Sequence, residues 1–160
     1  MHHHLVRFYH WCTHTSMGHW IANSSWGFAA IETFHVLGLT LLLGSVFVMN
    51  ASIMGLRISR SPREVVADVR PYWTWSLIAM LVTGIPMFMS AADGYGPNPA
   101  FLIKMSLLFT AIVLQTIFFR FPAIYEKSRW GKPVACLTLL CWFGIAYAGR
   151  AIAFTNLFGL

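Results

Sequence analysis

Residues 26–55 read WGFAAIETFHVLGLTLLLGSVFVMNASIMG. Between Val36 and Met54, nineteen residues in succession, no side chain is ionisable. A helix of that length rises about 28 Å, close to the ~30 Å hydrocarbon core of a bilayer. Lipid offers no water to backbone amides, so such a run crosses it as a helix whose hydrogen bonds close internally. Gly27, Gly38 and Gly44 leave room for a neighbouring helix to approach.

Working outward, three more apolar runs follow, at about 72–91, 100–119 and 133–154, with the first taken as about 26–55. Pro71 is placed at the opening of the second and Pro86 at a kink within it. Asp93-Gly-Tyr-Gly-Pro-Asn-Pro99 is a dense turn signal between the second and third. With 58% apolar and 10% charged residues, the 160-residue chain lacks the charged surface of a soluble domain. The expected fold is therefore all-α, a four-transmembrane-helix bundle forming a single membrane domain over 1–160. Ahead of it, residues 5–24 carry Trp11 and Trp20 among histidines and aromatics, which suits one interfacial amphipathic helix at headgroup level. Asn23-Ser24-Ser25 then offers a cap and a change of direction. The first residues, MHHHLVRFYHW, lack the short apolar core and cleavage site of a signal peptide.

Lysine and arginine set the orientation. Segments 57–70 and 120–132 hold four each, whereas the prelude, the 92–99 turn and the tail hold only Arg7. The basic segments belong on the cytoplasmic side, which gives an N-out, C-out protein expected in the bacterial inner membrane. The net charge of +6 comes from these topogenic clusters rather than from a basic face, so nucleic acid is not expected as a partner. Lipid is expected, together with other membrane-protein subunits. Cys12, Cys136 and Cys141 show no metal-binding or redox spacing. Walker, GxSxG and HExxH motifs are lacking, and no catalytic residue is assigned.

Ionisable groups inside hydrocarbon are costly and mark candidate sites. Four fall within the spans: Glu32 and His35 in the first, Lys104 in the third and Arg150 in the fourth. Glu32 and His35, three residues apart, share a helix face. The topology puts all four in the outer half of the membrane, with His35 about 10 Å below its helix end. An imidazole is a common metal ligand, and Lys and Arg near the surface suit haem propionates. Haem b is accordingly the expected cofactor, with His35 as axial ligand. The second ligand is left open among His10, His14, His19, Met80, Met87, Met89 and Met105. Copper is the alternative, held by His10, His14, His19 and His35. A third reading needs no cofactor: Glu32 pairs with Lys104 or Arg150 and locks the bundle of a structural accessory subunit.

Several blocks carry a resemblance. Trp11-x3-Thr15, Ser25-Trp26-x-Phe28, Ile31-Glu32-x2-His35-Val36-x-Gly38 and Gly44 resemble an uncharacterised family of bacterial four-span membrane proteins, known only as a domain of unknown function. Pro71-x-Trp73-x-Trp75, Thr83-Gly84, Asn98-Pro99-x-Phe101-x2-Lys104 and Gly149-Arg150 resemble the same family. Where that family commonly has Asp-x-Arg at the inner end of the first span, this chain has Asn50-Ala51-Ser52. More remotely, His35 with Lys104 looks like the HemJ-type protoporphyrinogen oxidases and the copper-resistance-D-type membrane domains. The former likeness implies a haem at His35. The combined expectation is a haem-binding subunit of a membrane redox or electron-transfer assembly.

Overall fold

The computed structural model describes residues 2–56, 60–95, 98–126 and 128–158, with side chains from residue 6 to 152. The described residues form eight helices and no strand: α1 (His2–Thr13), α2 (Ser16–Asn23), α3 (Gly27–Met54), α4 (Pro62–Ser90), α5 (Ala92–Tyr95), α6 (Pro99–Arg120), α7 (Ala123–Glu126) and α8 (Gly131–Phe158). Four are long and apolar enough to cross a membrane: α3, α4, α6 and, over Gly131–Ile152, α8. The chain is an all-α, multi-pass membrane protein. The end bearing α1, α2 and α5 is called outer here, following the charge argument.

The prelude is two helices rather than one. Thr15 interrupts it, its hydroxyl donating to the Cys12 carbonyl (2.7 Å) and accepting from the Gly18 amide (3.2 Å). This is an N-cap for α2, and it turns the chain after Thr13. Trp11 and Trp20 thus sit on different helices, both about two-thirds exposed at 64% and 62%. Ile21 and Cys12 are buried beneath, where α2 packs on α4 and α1 on α5. Gly18 permits this docking: a Cβ there would lie 2.7 Å from the Met89 carbonyl oxygen.

The second span also starts earlier than its apolar run. Ser61-Pro62-Arg63-Glu64 begins α4, with the Ser61 hydroxyl accepting from the Glu64 amide and Pro62 in the first turn. Proline is favoured there because its missing N–H would be unpaired anyway. The polar stretch through Arg70 is therefore the first turns of α4, and Pro71 lies inside the helix instead of opening it. A helix of 29 residues rises about 43 Å, more than hydrocarbon requires. Its first turns extend beyond the membrane, where Arg60 bonds Asp68. Asn98 caps α6 by accepting from the Ala100 amide (2.9 Å).

Across the bundle α3 packs on α4 and α8, and α8 packs on α6. Between α4 and α6 aromatic side chains make the contact, Trp73 against Phe119 at 5.0 Å and Phe88 against Phe101 at 5.3 Å. The core lies towards the inner half, around Leu42, Val46, Met49, Phe118 and Trp142. Asn50 is fully buried there and donates to the Val46 carbonyl on its own helix (2.8 Å), a neutral amide in a place where a charge would lack water. Outward-pointing Phe34, Val82, Phe109 and Leu140 remain exposed and present the face that lipid covers.

Candidate functional site

A cavity of about 260 Å³ lies among the four spans in the outer half. Its lining includes Glu32 and His35 from α3, Met80 and Gly84 from α4, Lys104 from α6, and Gly149 and Arg150 from α8. All four ionisable residues singled out from the sequence therefore reach one space. His35 and Lys104 are half-buried, while Glu32 and Arg150 are exposed nearer its rim.

The imidazole is held in a defined way. Nδ1 of His35 lies 2.8 Å from the Thr83 hydroxyl oxygen. That hydroxyl has one hydrogen, donated to the Ala79 carbonyl at 2.7 Å. With that hydrogen on the carbonyl, Thr83 accepts from His35, an assignment from hydrogen-bond geometry that puts the ring hydrogen on Nδ1 and leaves Nε2 its lone pair. Among the described residues Nε2 has no hydrogen-bond partner. Gly84, next to Thr83, makes space for the ring: a Cβ there would stand 3.3 Å from Cε1. Gly149 similarly faces Nζ of Lys104, 3.6 Å from where its Cβ would be.

Lys104 lies within electrostatic reach of His35. Among the described residues, the side chains of Lys104 and Glu32 form no ion pair and no hydrogen bond. The expected Glu32–Lys104 or Glu32–Arg150 lock is thus not formed. Over the outer end, Phe88, Tyr95 and Phe101 stack with centroids 5.3, 6.1 and 6.3 Å apart. Burial pushes the Tyr95 phenol above its ordinary range, and the nearby Glu32 carboxylate adds to the effect.

The copper set does not assemble. His10 on α1 and His14 in the turn after it pack with tilted rings, centroids 4.2 Å apart, and His14 and His19 line a separate outer depression with Trp20 and Asn23. His19 is engaged there by Asn23 (3.2 Å). Among the described residues no three His, Cys, Asp or Glu side chains form a metal-binding group. The turn at Thr15 folds the prelude against α4 and α5, so its histidines do not line the cavity beside His35. Of the candidate second haem ligands, Met80 and Met87 line the cavity, whereas Met89 and Met105 do not.

The donor set suits haem better than the space does. An imidazole with an anchored Nδ1–H and a free Nε2 is the arrangement of a metal-binding histidine, and Lys104 could neutralise a propionate. Pockets for drug-sized molecules hold about 300–1,000 Å³, and a porphyrin is larger than most such molecules. The cavity of about 260 Å³ does not accommodate the macrocycle as the helices stand.

Sequence reasoning missed Thr83, Gly84, Gly149 and Tyr95 as parts of this site. Thr83-Gly84 and Gly149 already stood among the residues carrying the family resemblance, a signal without an assigned role. No curated protein and no solved structure matches the chain, and likeness to HemJ-type or copper-resistance-D-type proteins finds no support. A family model matches residues 8–155, nearly the whole length, and the chain belongs to DUF6644, a family of unknown function.

Proposed function

We propose that this protein is the ligand-binding subunit of a membrane redox assembly, set in the bacterial inner membrane with its site towards the outer side. One observation carries the reading: an imidazole Nε2 and a lysine ammonium, both unpartnered among the described residues, share a cavity inside the membrane-spanning bundle. A partly buried cation without a partner is costly in lipid, and a bound molecule with an acceptor oxygen would offset that cost.

The test is to isolate the protein from its native membrane and compare it with His35→Ala and Lys104→Met. Mass spectrometry of an organic extract and an absorbance spectrum of the oxidised and reduced protein are the readouts. A molecule stoichiometric with the wild type and lost from both folded variants is the expected result. Wild-type protein that carries nothing, with variants that match it, would overturn the proposal. The spectrum also tests the haem reading, favoured by the anchored Nδ1 of His35. A Soret band would mean that α4 and α6 part to admit the ring, and a colourless protein excludes that cofactor.

A further inference from the structure

The chemistry of the outer cavity narrows what it can take. This step rests on the reading of that cavity as a ligand site. With Nδ1–H committed to Thr83, the free Nε2 of neutral His35 can only accept a hydrogen. Lys104 can only donate. An occupant that satisfies both groups therefore offers a hydrogen to one and a lone pair to the other. A carboxylate supplies only the lone pair, and an ether supplies no hydrogen. A hydroxyl supplies both from one oxygen.

The rest of the lining sets the body that carries this hydroxyl. Val36, Met80 and Ile145 are apolar, and the Phe88–Tyr95–Phe101 stack closes the outer end. Val36 is half-exposed (52%) and lies about 13 Å along α3 from its outer end, at hydrocarbon depth. The edge of the cavity thus meets the acyl chains, which admits a molecule dissolved in lipid. A volume of about 260 Å³ suits a single-ring headgroup rather than a large ring system.

We propose that the cavity binds the ring of a lipid-soluble hydroquinone, one hydroxyl of which donates to Nε2 of His35 while its oxygen accepts from Nζ of Lys104. Thr83 is a positioning residue that fixes which imidazole nitrogen faces the ligand. No electron transfer is assigned to the binding step.

The experiment uses the full chain in lipid nanodiscs with a decyl-substituted benzohydroquinone, kept reduced. Its dimethyl ether and the fatty acid laurate are the comparison probes. The hydroquinone should bind about tenfold or more tightly than the dimethyl ether, as expected for a lost buried hydrogen bond. Thr83→Val should weaken binding about tenfold, and Thr83→Ser should restore it, because serine keeps the hydroxyl. His35→Leu should abolish the preference over the ether. Equal binding of hydroquinone and ether, tighter binding of laurate, or an unchanged Thr83→Val variant that retains its helical content would each overturn the assignment. If another molecule co-purifies with the native protein while the hydroquinone does not bind, the hydroquinone assignment falls and the ligand site stands. If nothing co-purifies and no probe binds, both fall.

Discussion

The hydroxyl of Thr83 and the missing side chain of Gly84 together fix one face of the His35 ring. Gly84→Ala would place a methyl 3.3 Å from Cε1, tight enough to displace the ring by a few tenths of an ångström. Its expected effect is loss of the co-purifying molecule with little change in the unfolding midpoint, read by extraction and by thermal unfolding of the same sample. Gly18→Ala should behave in the opposite way. Its methyl would meet the Met89 backbone oxygen at 2.7 Å, which cannot swing aside. Overpacking of this kind costs about 1–3 kcal/mol, more than the ~1 kcal/mol that alanine gains over glycine in a helix. Denaturant unfolding in micelles should show the deficit, while cavity binding persists. At this scale the sequence reveals what is chemically conspicuous. Glu32, His35, Lys104 and Arg150 stand out because charge is rare in hydrocarbon. Thr83 and Gly84 do not, because hydroxyls bonded to their own helix and glycines at helix contacts are ordinary in membrane spans.

Among the elements, α4 shows how a boundary escapes an apolar reading. Its start is written in capping chemistry, Ser61 to Glu64, rather than in hydropathy. Ser61→Ala should destabilise the protein by about 1 kcal/mol, the usual effect of removing a cap, and should fray the first turns of α4 before the rest, measurable by amide exchange. The break at Thr15 escapes an apolar reading for the same reason, since a spacing that fits one long amphipathic helix also fits two short ones. The short α5 carries a pH dependence. Tyr95 has its phenol raised above the ordinary value near 10 by burial and then by Glu32. A raised acid binds its proton more tightly folded than unfolded. Its contribution to stability is thus complete below the ordinary value and is lost as pH rises through the raised one. Tyr95→Phe should flatten that alkaline decline, and Glu32→Gln should move the Tyr95 titration back towards the ordinary range in an ultraviolet difference titration.

For the molecule as a whole, four long apolar stretches made the bundle legible, because lipid allows so few alternatives. The order of packing, α4–α3–α8–α6, was not legible, because hydropathy has no partner information. The topology makes a direct prediction. In a cysteine-free background, Asp93→Cys should react with a membrane-impermeant maleimide on intact cells, and Ser128→Cys only after the membrane is opened. The reverse pattern would turn the site towards the cytoplasm. The aromatic seam between α4 and α6 also has a mechanical consequence. Aromatic rings act there as spacers, edge-on at Trp73–Phe119 and stacked at Phe88–Phe101, and the stacked pair sets the gauge of the chamber at its outer end. Trimming a spacer, as in Phe101→Ala, would let the two helices settle together and narrow the chamber from its outer end, without touching a single polar atom inside it.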